Sequence, residues 1–249
     1  MPMRSGLRMR VYASCAVTVG LVCWFGCVLL APDAMAAQSH STDQLPMFGQ
    51  PAMVRPEDLK KADEAFVRDS TLRFGSRQAG SNALAAKGWA AVRTKQSDLA
   101  MQYFNQAWLL NSKNYRVFWG FGARMSERGK LIEAIEHLET ARELMDDPVQ
   151  RVALLCDLGT VHSEYAARLP ADRELERAQH FVKANSRFTE SLENDPKYAM
   201  SWREWAMSLY EQGRYSEAWI KVQRARELRA EPFPAEFLKK LSTKMPEPK

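Results

Sequence analysis

The sequence predicts an all-α chain: an α-solenoid of about four stacked helix-turn-helix repeats, with a helix ahead of them and a capping helix behind. Three observations predict it. From Pro56 onward the apolar residues recur at helical spacing, as in Leu59, Ala62, Ala65 and Phe66. No segment alternates apolar and polar residues for long enough to make a strand. Three stretches of 34 residues, Ser81–Asn114, Tyr115–Pro148 and Ala199–Pro232, carry matching residues at matching positions.

The matches have a physical reading. The eighth position holds Gly88, Gly122 and Ala206, the twentieth Ala100, Ala134 and Ala218, and the twenty-seventh Ala107, Ala141 and Ala225. Two antiparallel helices whose axes lie about 8–10 Å apart need small side chains where they cross. Larger residues fill the space beside the crossing: Phe104, Leu138 and Val222 at the twenty-fourth position, Leu110, Leu144 and Leu228 at the thirtieth. On this reading Gly122 excludes leucine and tolerates alanine. Gly129 and Gly213 share the fifteenth position, between two helical patterns, where a turn suits glycine. A helix pair of this kind leaves one face uncovered, and the next pair covers it, so the array grows as a stack.

This pattern resembles the tetratricopeptide repeat family. The resemblance is strongest from Trp202, where Trp202, Trp205, Ala206, Gly213, Tyr215, Ala218 and Ala225 follow the family order, with the family proline arriving late at Pro232. The runs FNQAWLL from Phe104 and FWGFG from Phe118 look like exported bacterial members of the family. An irregular repeat occupies 149–198. It begins with Leu158-Gly159, ends with Ala184, Phe188, Ser191 and Pro196, and carries an insertion with a turn at Leu169-Pro170-Ala171-Asp172. The resemblance covers Ser81–Pro232, divided as 81–114, 115–148, 149–198 and 199–232. A helical segment at 56–80 precedes it. Residues 233–249 form a capping helix and tail, with Phe237, Leu238 and Leu241 turned toward the stack.

The start of the chain reads as an address. Arg4, Arg8 and Arg10 precede Val11–Leu30, which is free of charge. Pro32 then breaks the helix, and Ala34-Met35-Ala36 offers small residues at the spacing a signal peptidase reads. Residues 1–36 are therefore expected to be a signal peptide cleaved after Ala36. The same run is long enough to span a bilayer, and left uncleaved it would be an inner-membrane anchor with the remainder outside the cytoplasm. A lipoprotein is a third possibility, although neither Cys23 nor Cys27 sits in a good lipidation box. All three put the remainder across the membrane, exported to the periplasm or secreted. Residues 37–55 follow as a linker with a short apolar cluster at Leu45–Phe48.

Composition narrows the function. The formal net charge is +5, and removing residues 1–36 with Arg4, Arg8, Arg10 and Asp33 leaves +3. Spread along the chain, that charge does not suit a nucleic-acid binder. Cys15, Cys23 and Cys27 lie in the signal, so the exported part keeps Cys156 alone and has no internal disulfide. Gly122…Gly129-Lys130 has the wrong spacing for a phosphate-binding loop, and Gly120-Phe121-Gly122 follows no strand. His40, His137, His162 and His180 match no zinc-motif spacing, and His162 is expected to be a satisfied, partly buried side chain. Cys156 has no base at helical spacing and reads as an inert thiol. The sequence thus predicts no enzyme, no cofactor and no metal; the alternative from another class is an enzyme whose chemistry leaves no recognisable motif.

What remains is a surface. In this family, positions two, five, nine and twelve of each first helix line the concave side. Onto that face fall Asn82, Trp89, Arg93, Arg116, Trp119, Ala123, Cys156, Asp157, Thr160, Arg203, Met207 and Tyr210. Tryptophan and arginine are the usual anchors of interfaces. Trp119 either lines the groove or packs under a neighbouring helix or the Leu45–Phe48 linker. The charges predict a groove that is basic and aromatic at the Arg93 and Arg116 end and more acidic toward Glu127, Asp157, Glu164, Glu204 and Glu211. Some family members grip a C-terminal carboxylate with Lys and Asn; the corresponding positions here hold Ala85, Trp89, Gly120, Ala153 and Asp157, so that mode is not expected. The resemblance implies a scaffold or adaptor for another protein, in envelope assembly, secretion, pilus accessory complexes or cell-wall regulation. Contact with a membrane is expected only if the leader stays uncleaved, and the oligomeric state is open.

Overall fold

A computed structural model of the chain describes residues 57–248. The expected signal peptide, the linker and Pro56 lie outside the described residues. Within them the chain is helical and no strand forms. Helix α1 spans Glu57–Phe74, and four antiparallel pairs follow: α2 (Arg77–Arg93) with α3 (Ser97–Leu110), α4 (Tyr115–Glu127) with α5 (Leu131–Leu144), α6 (Pro148–Arg168) with α7 (Glu174–Asn194), and α8 (Ala199–Glu211) with α9 (Tyr215–Glu227). Helix α10 (Ala235–Lys244) ends the array.

The first pair starts earlier than the repeat alignment places it. Gly75 takes a left-handed backbone (φ +78°) and ends α1, and the Ser76 hydroxyl accepts from the Ala79 amide to cap α2. Arg77–Gly80 thus belong to α2, and Arg77 donates to the carbonyls of Leu109 and Leu110 at the free end of α3. Asn114 and Asp147 cap α4 and α6 in the same manner, the latter with Pro148 at the first helical position.

The turn at the fifteenth repeat position is uniform even where the residue is not. Gly129 and Gly213 have φ of +76° and +73°, and Lys95, at the same position of the first repeat, has φ of +59°. The backbone hydrogen bonds repeat as well: Gln96 to Ala91, Lys130 to Met125 and Arg214 to Leu209, each 2.9 Å.

Packing follows the small-against-large pattern. A Cβ added to Gly88 would stand 2.5 Å from the Phe104 ring, and one on Gly120 would overlap the same ring. One on Gly159 would stand 2.8 Å from the Phe188 ring, and one on Gly122 would stand 2.6 Å from Leu138 Cγ and 3.2 Å from the Ala134 carbonyl. Gly88 and Gly122, at the eighth position, thus receive the large twenty-fourth residue of their partner helices, and Gly120 receives Phe104 from the preceding pair. In the last pair Ala206 faces the smaller Val222, and both are fully buried. Alanine at Gly122 is therefore not the mild change the sequence suggested, because the atoms it meets are a branch carbon and a backbone oxygen rather than a flexible tip.

The insertion in the irregular repeat lengthens its helices instead of its loop. Helices α6 and α7 each run 21 residues and meet through a short 3-10 turn at Ala171–Arg173 after Pro170. Arg177 closes this turn by donating to the carbonyls of Leu169 and Pro170. Polar contacts hold the long pair together and tie it to its neighbours: Ser191 of α7 donates to the Val152 carbonyl of α6 and shares a 2.7 Å hydrogen bond with Ser201 of α8, and Arg187 donates to Glu139 of α5 at 2.9 Å. Leu241 of α10 is fully buried against Leu209, Trp219 and Val222, with Phe237 and Leu238 partly covered beside it.

Candidate binding groove

The first-position helices α2, α4, α6 and α8 carry the candidate residues, and the structure divides them among two hollows and the space between. The first hollow, about 470 Å³, is walled by Asn82, Ala86, Trp89 and Arg93 of α2, Arg116 and Trp119 of α4 and Gln150 of α6. Trp89 and Trp119 stand edge to face, ring centres 5.2 Å apart and planes at 67°. Trp89 also meets Phe104 at 5.7 Å and donates its indole N–H to the Arg116 carbonyl at 3.2 Å. Both indoles are half-buried, so each is held from behind while part of its surface faces the hollow. Arg116 lies over the Tyr115 ring and 3.8 Å from Asp147, and Arg93 is exposed.

Trp119 leads out of this hollow. Its indole N–H donates to Asp157 of α6 at 2.7 Å. Solvent reaches Asp157 through the groove, yet protein crowds it on its other sides. This desolvation pushes the carboxyl up to about 6; the Trp119 hydrogen bond opposes the shift and the Glu204 charge adds to it. Glu204 is raised for the same first reason, burial, against its ion pair with Arg203.

The second hollow, about 230 Å³, lies beyond Asp157. Thr160, Ser163, Glu164, Ala167 and Arg168 of α6 form one wall, Glu204, Met207, Ser208 and Glu211 of α8 the other, and Phe237 of α10 closes it. Thr160 and Met207 are thus both on the groove. Ala123, Arg203 and Tyr210 line neither hollow. Arg203 reaches the Glu231 carbonyl and lies over Phe233, and Tyr210 packs on Tyr215 and Phe237, because the capping segment covers that end of α8. Cys156 is 1% exposed and sits against Ala184 and Phe188, so it is core rather than surface. Burial pushes its thiol well above the ordinary range. Glu127 pairs with Arg124 at the end of α4 and is not among the walls of either hollow.

Sequence spacing missed several wall residues. Ala86 completes an i, i+4, i+7, i+11 stripe with Asn82, Trp89 and Arg93, visible once α2 is known to be continuous. Gln150 and Ala167 lie on the same stripe of α6 as Asp157, Thr160 and the expected Glu164, but the insertion breaks the 34-residue register there. The spacing rules also missed a histidine pair: His162 and His180 are 18 residues apart in sequence, yet their Nδ1 atoms are 3.0 Å apart across α6 and α7. Among the described residues no group of three or more His, Cys, Asp or Glu is placed to hold a metal ion.

No family model matches the chain, and no curated protein does. Solved structures do match. One is PilF of Pseudomonas aeruginosa, a tetratricopeptide-repeat protein, with a TM-score of 0.51 and 19% identity over 74% of this chain and 84% of that one. At that identity the comparison speaks to fold. The 34-residue period, the stacked antiparallel helix pairs and this structural match together make the chain a protein of the tetratricopeptide-repeat fold.

Proposed function

We propose that the chain is an exported, non-catalytic scaffold that holds a segment of another protein in its concave groove, in cell-envelope assembly, secretion or cell-wall processes. One observation carries the binding reading: two half-buried tryptophans, edge to face, form the wall of a 470 Å³ hollow with arginines beside them. Buried aromatic anchors next to arginine are where interfaces concentrate their energy. A rigid stack of helix pairs supplies the fixed curved surface on which an extended segment or a helix is ordered. The charge-free run after Arg4, Arg8 and Arg10 supports export.

The deciding experiment is photo-crosslinking in native envelopes from a probe at Ala86, followed by identification of the attached protein. Trp119→Ala should weaken capture of that partner at least tenfold, about 1.4 kcal/mol or more, with helical content unchanged. Arg116→Glu should mainly slow association and reduce its salt dependence. If both variants capture the partner normally, recognition lies elsewhere on the chain. The intact mass of the protein from its host tests the export reading: a mature chain beginning at Ala37 is expected, and a mass retaining residues 1–36 with salt-resistant membrane association would make it a membrane-anchored scaffold.

A further inference from the structure

We propose that the groove selects a segment whose charges are segregated, with acidic residues around an aromatic or aliphatic side chain at one end and basic residues about six positions away. This rests on the groove-binding reading above and adds to it the chemistry of the partner.

The two hollows differ in sign. The first presents Arg93 and Arg116 around the tryptophan pair. Arg116 shares its charge with Asp147 at 3.8 Å, while Arg93 is exposed and forms no ion pair among the described residues. The second presents Glu164, Glu204 and Glu211; Arg168 stands among its walls, and Arg203 behind them pairs with Glu204, which leaves Glu211 as the carboxylate most open to a partner. Glu211 is exposed, and Glu164 is paired loosely with Arg168 at 3.4 Å.

The hollows belong to one surface. Trp119 walls the first and holds Asp157, and Thr160, three residues along α6 from Asp157, walls the second. Asp157 also feels the Glu204 charge, which places the acidic side of the groove immediately past the indole. The first hollow lies at α2 and α4 and the second at α6 and α8. Two helix spacings of about 10 Å separate them. An extended chain covers about 3.3 Å per residue, so about six residues span the interval. The apolar side chain belongs at the acidic end because that is where the two indoles stand, and the second hollow offers only Met207 and Phe237 among polar walls.

A segment with the opposite arrangement would set its acids on Glu211 and its bases on Arg93. Like charges so juxtaposed reject a partner more strongly than matched ones retain it.

The test uses synthetic twelve-residue peptides of one composition, each with one Phe, three Asp and three Lys, labelled with a fluorophore and titrated with the full chain in detergent. In one pair, made in both chain directions, the Asp residues flank Phe at one end and the Lys residues sit at the other. In the third the charges alternate. One segregated peptide should bind at least tenfold more tightly than the alternating one. Arg93→Glu and Glu211→Lys, both changes of exposed residues, should each lower that preference at least threefold with the far-ultraviolet circular dichroism unchanged. Equal affinities, no binding of any peptide at millimolar concentration, or indifference to both substitutions would overturn the proposal. Trp119→Ala separates it from the reading beneath it. If Trp119→Ala abolishes capture of the native partner while the charge reversals change nothing, the groove binds without sorting charge. If Trp119→Ala leaves capture intact, the groove reading fails as well.

Discussion

Trp119 of α4 donates its indole N–H to Asp157 of α6 at 2.7 Å, and so links two neighbouring repeats through their first helices. The bond orients the indole toward the first hollow while it holds a desolvated carboxylate in place. Trp119 walls the first hollow and Asp157 stands beside it, so the polar contact that fixes the indole also sets the local charge.

That carboxylate makes stability depend on pH. Crowding by protein raises the Asp157 pKa to about 6 from an ordinary 3.8. Between those values the folded state holds a proton that the unfolded chain has released, so this group's contribution to stability falls as pH rises through the window. His137 has the opposite sign: burial lowers it to about 4 from 6.5, and its contribution falls as pH drops. The total can therefore be flat while each part is not. Asp157→Asn isolates one part: relative to the unmodified chain, the variant should gain thermal stability as pH rises from 4 to 7. A constant difference across that range would show that the carboxyl titrates normally.

Gly122 is expected to accept no side chain without cost. A Cβ there meets Leu138 Cγ at 2.6 Å and the Ala134 carbonyl at 3.2 Å. Overpacking of this kind costs about 1–3 kcal/mol. Gly122→Ala should lie near the low end despite alanine's better helix propensity, and Gly122→Leu at or above the high end. Denaturant melts of both variants measure this. A stabilised Gly122→Ala would mean that α4 and α5 separate easily at the crossing.

Lys95 marks a site where the first repeat can be improved. Its φ of +59° matches Gly129 and Gly213 at the same turn, and a left-handed backbone costs a side-chain-bearing residue about 1–2 kcal/mol. Glycine removes that strain but loses more entropy on folding. Lys95→Gly should therefore stabilise the chain by about 0.5–1 kcal/mol, read as a shift of the denaturation midpoint with an unchanged slope. A loss of stability would show that the lysine makes contacts worth more than its backbone strain.

Cys156 should be silent toward redox conditions. It is 1% exposed, lies between α6 and α7 against Ala184 and Phe188, and is held as a thiol by burial. A thiol reagent should label it only after denaturation, and the thermal midpoint should be the same with and without reductant. Rapid labelling of the native protein would mean that the long α6–α7 pair opens locally.

The architecture was legible in the residues because it repeats. Close helix crossings admit only glycine or alanine, so Gly88, Gly122 and Ala206 recur at one position, and the larger residues Phe104, Leu138 and Val222 recur where they fit against them. Packing constraints of this kind act within about 34 residues and leave a periodic trace. The identities of Trp89, Trp119 and Arg116 as face residues followed from the same period. What the residues alone did not decide was which of those face positions share a surface. Tyr210 and Arg203 lie on the predicted face, but the capping segment covers them; Cys156 lies on it too, but Ala184 and Phe188 of α7 bury it, with Tyr198, Met200 and Trp205 packed beside them. Gln150, at the start of α6, walls the first hollow beside Arg116 and Trp119, which the repeat alignment did not indicate. An insertion shifts the register, and a neighbouring helix withdraws residues from solvent. Both effects join positions far apart in sequence, so only the packed helices determined them.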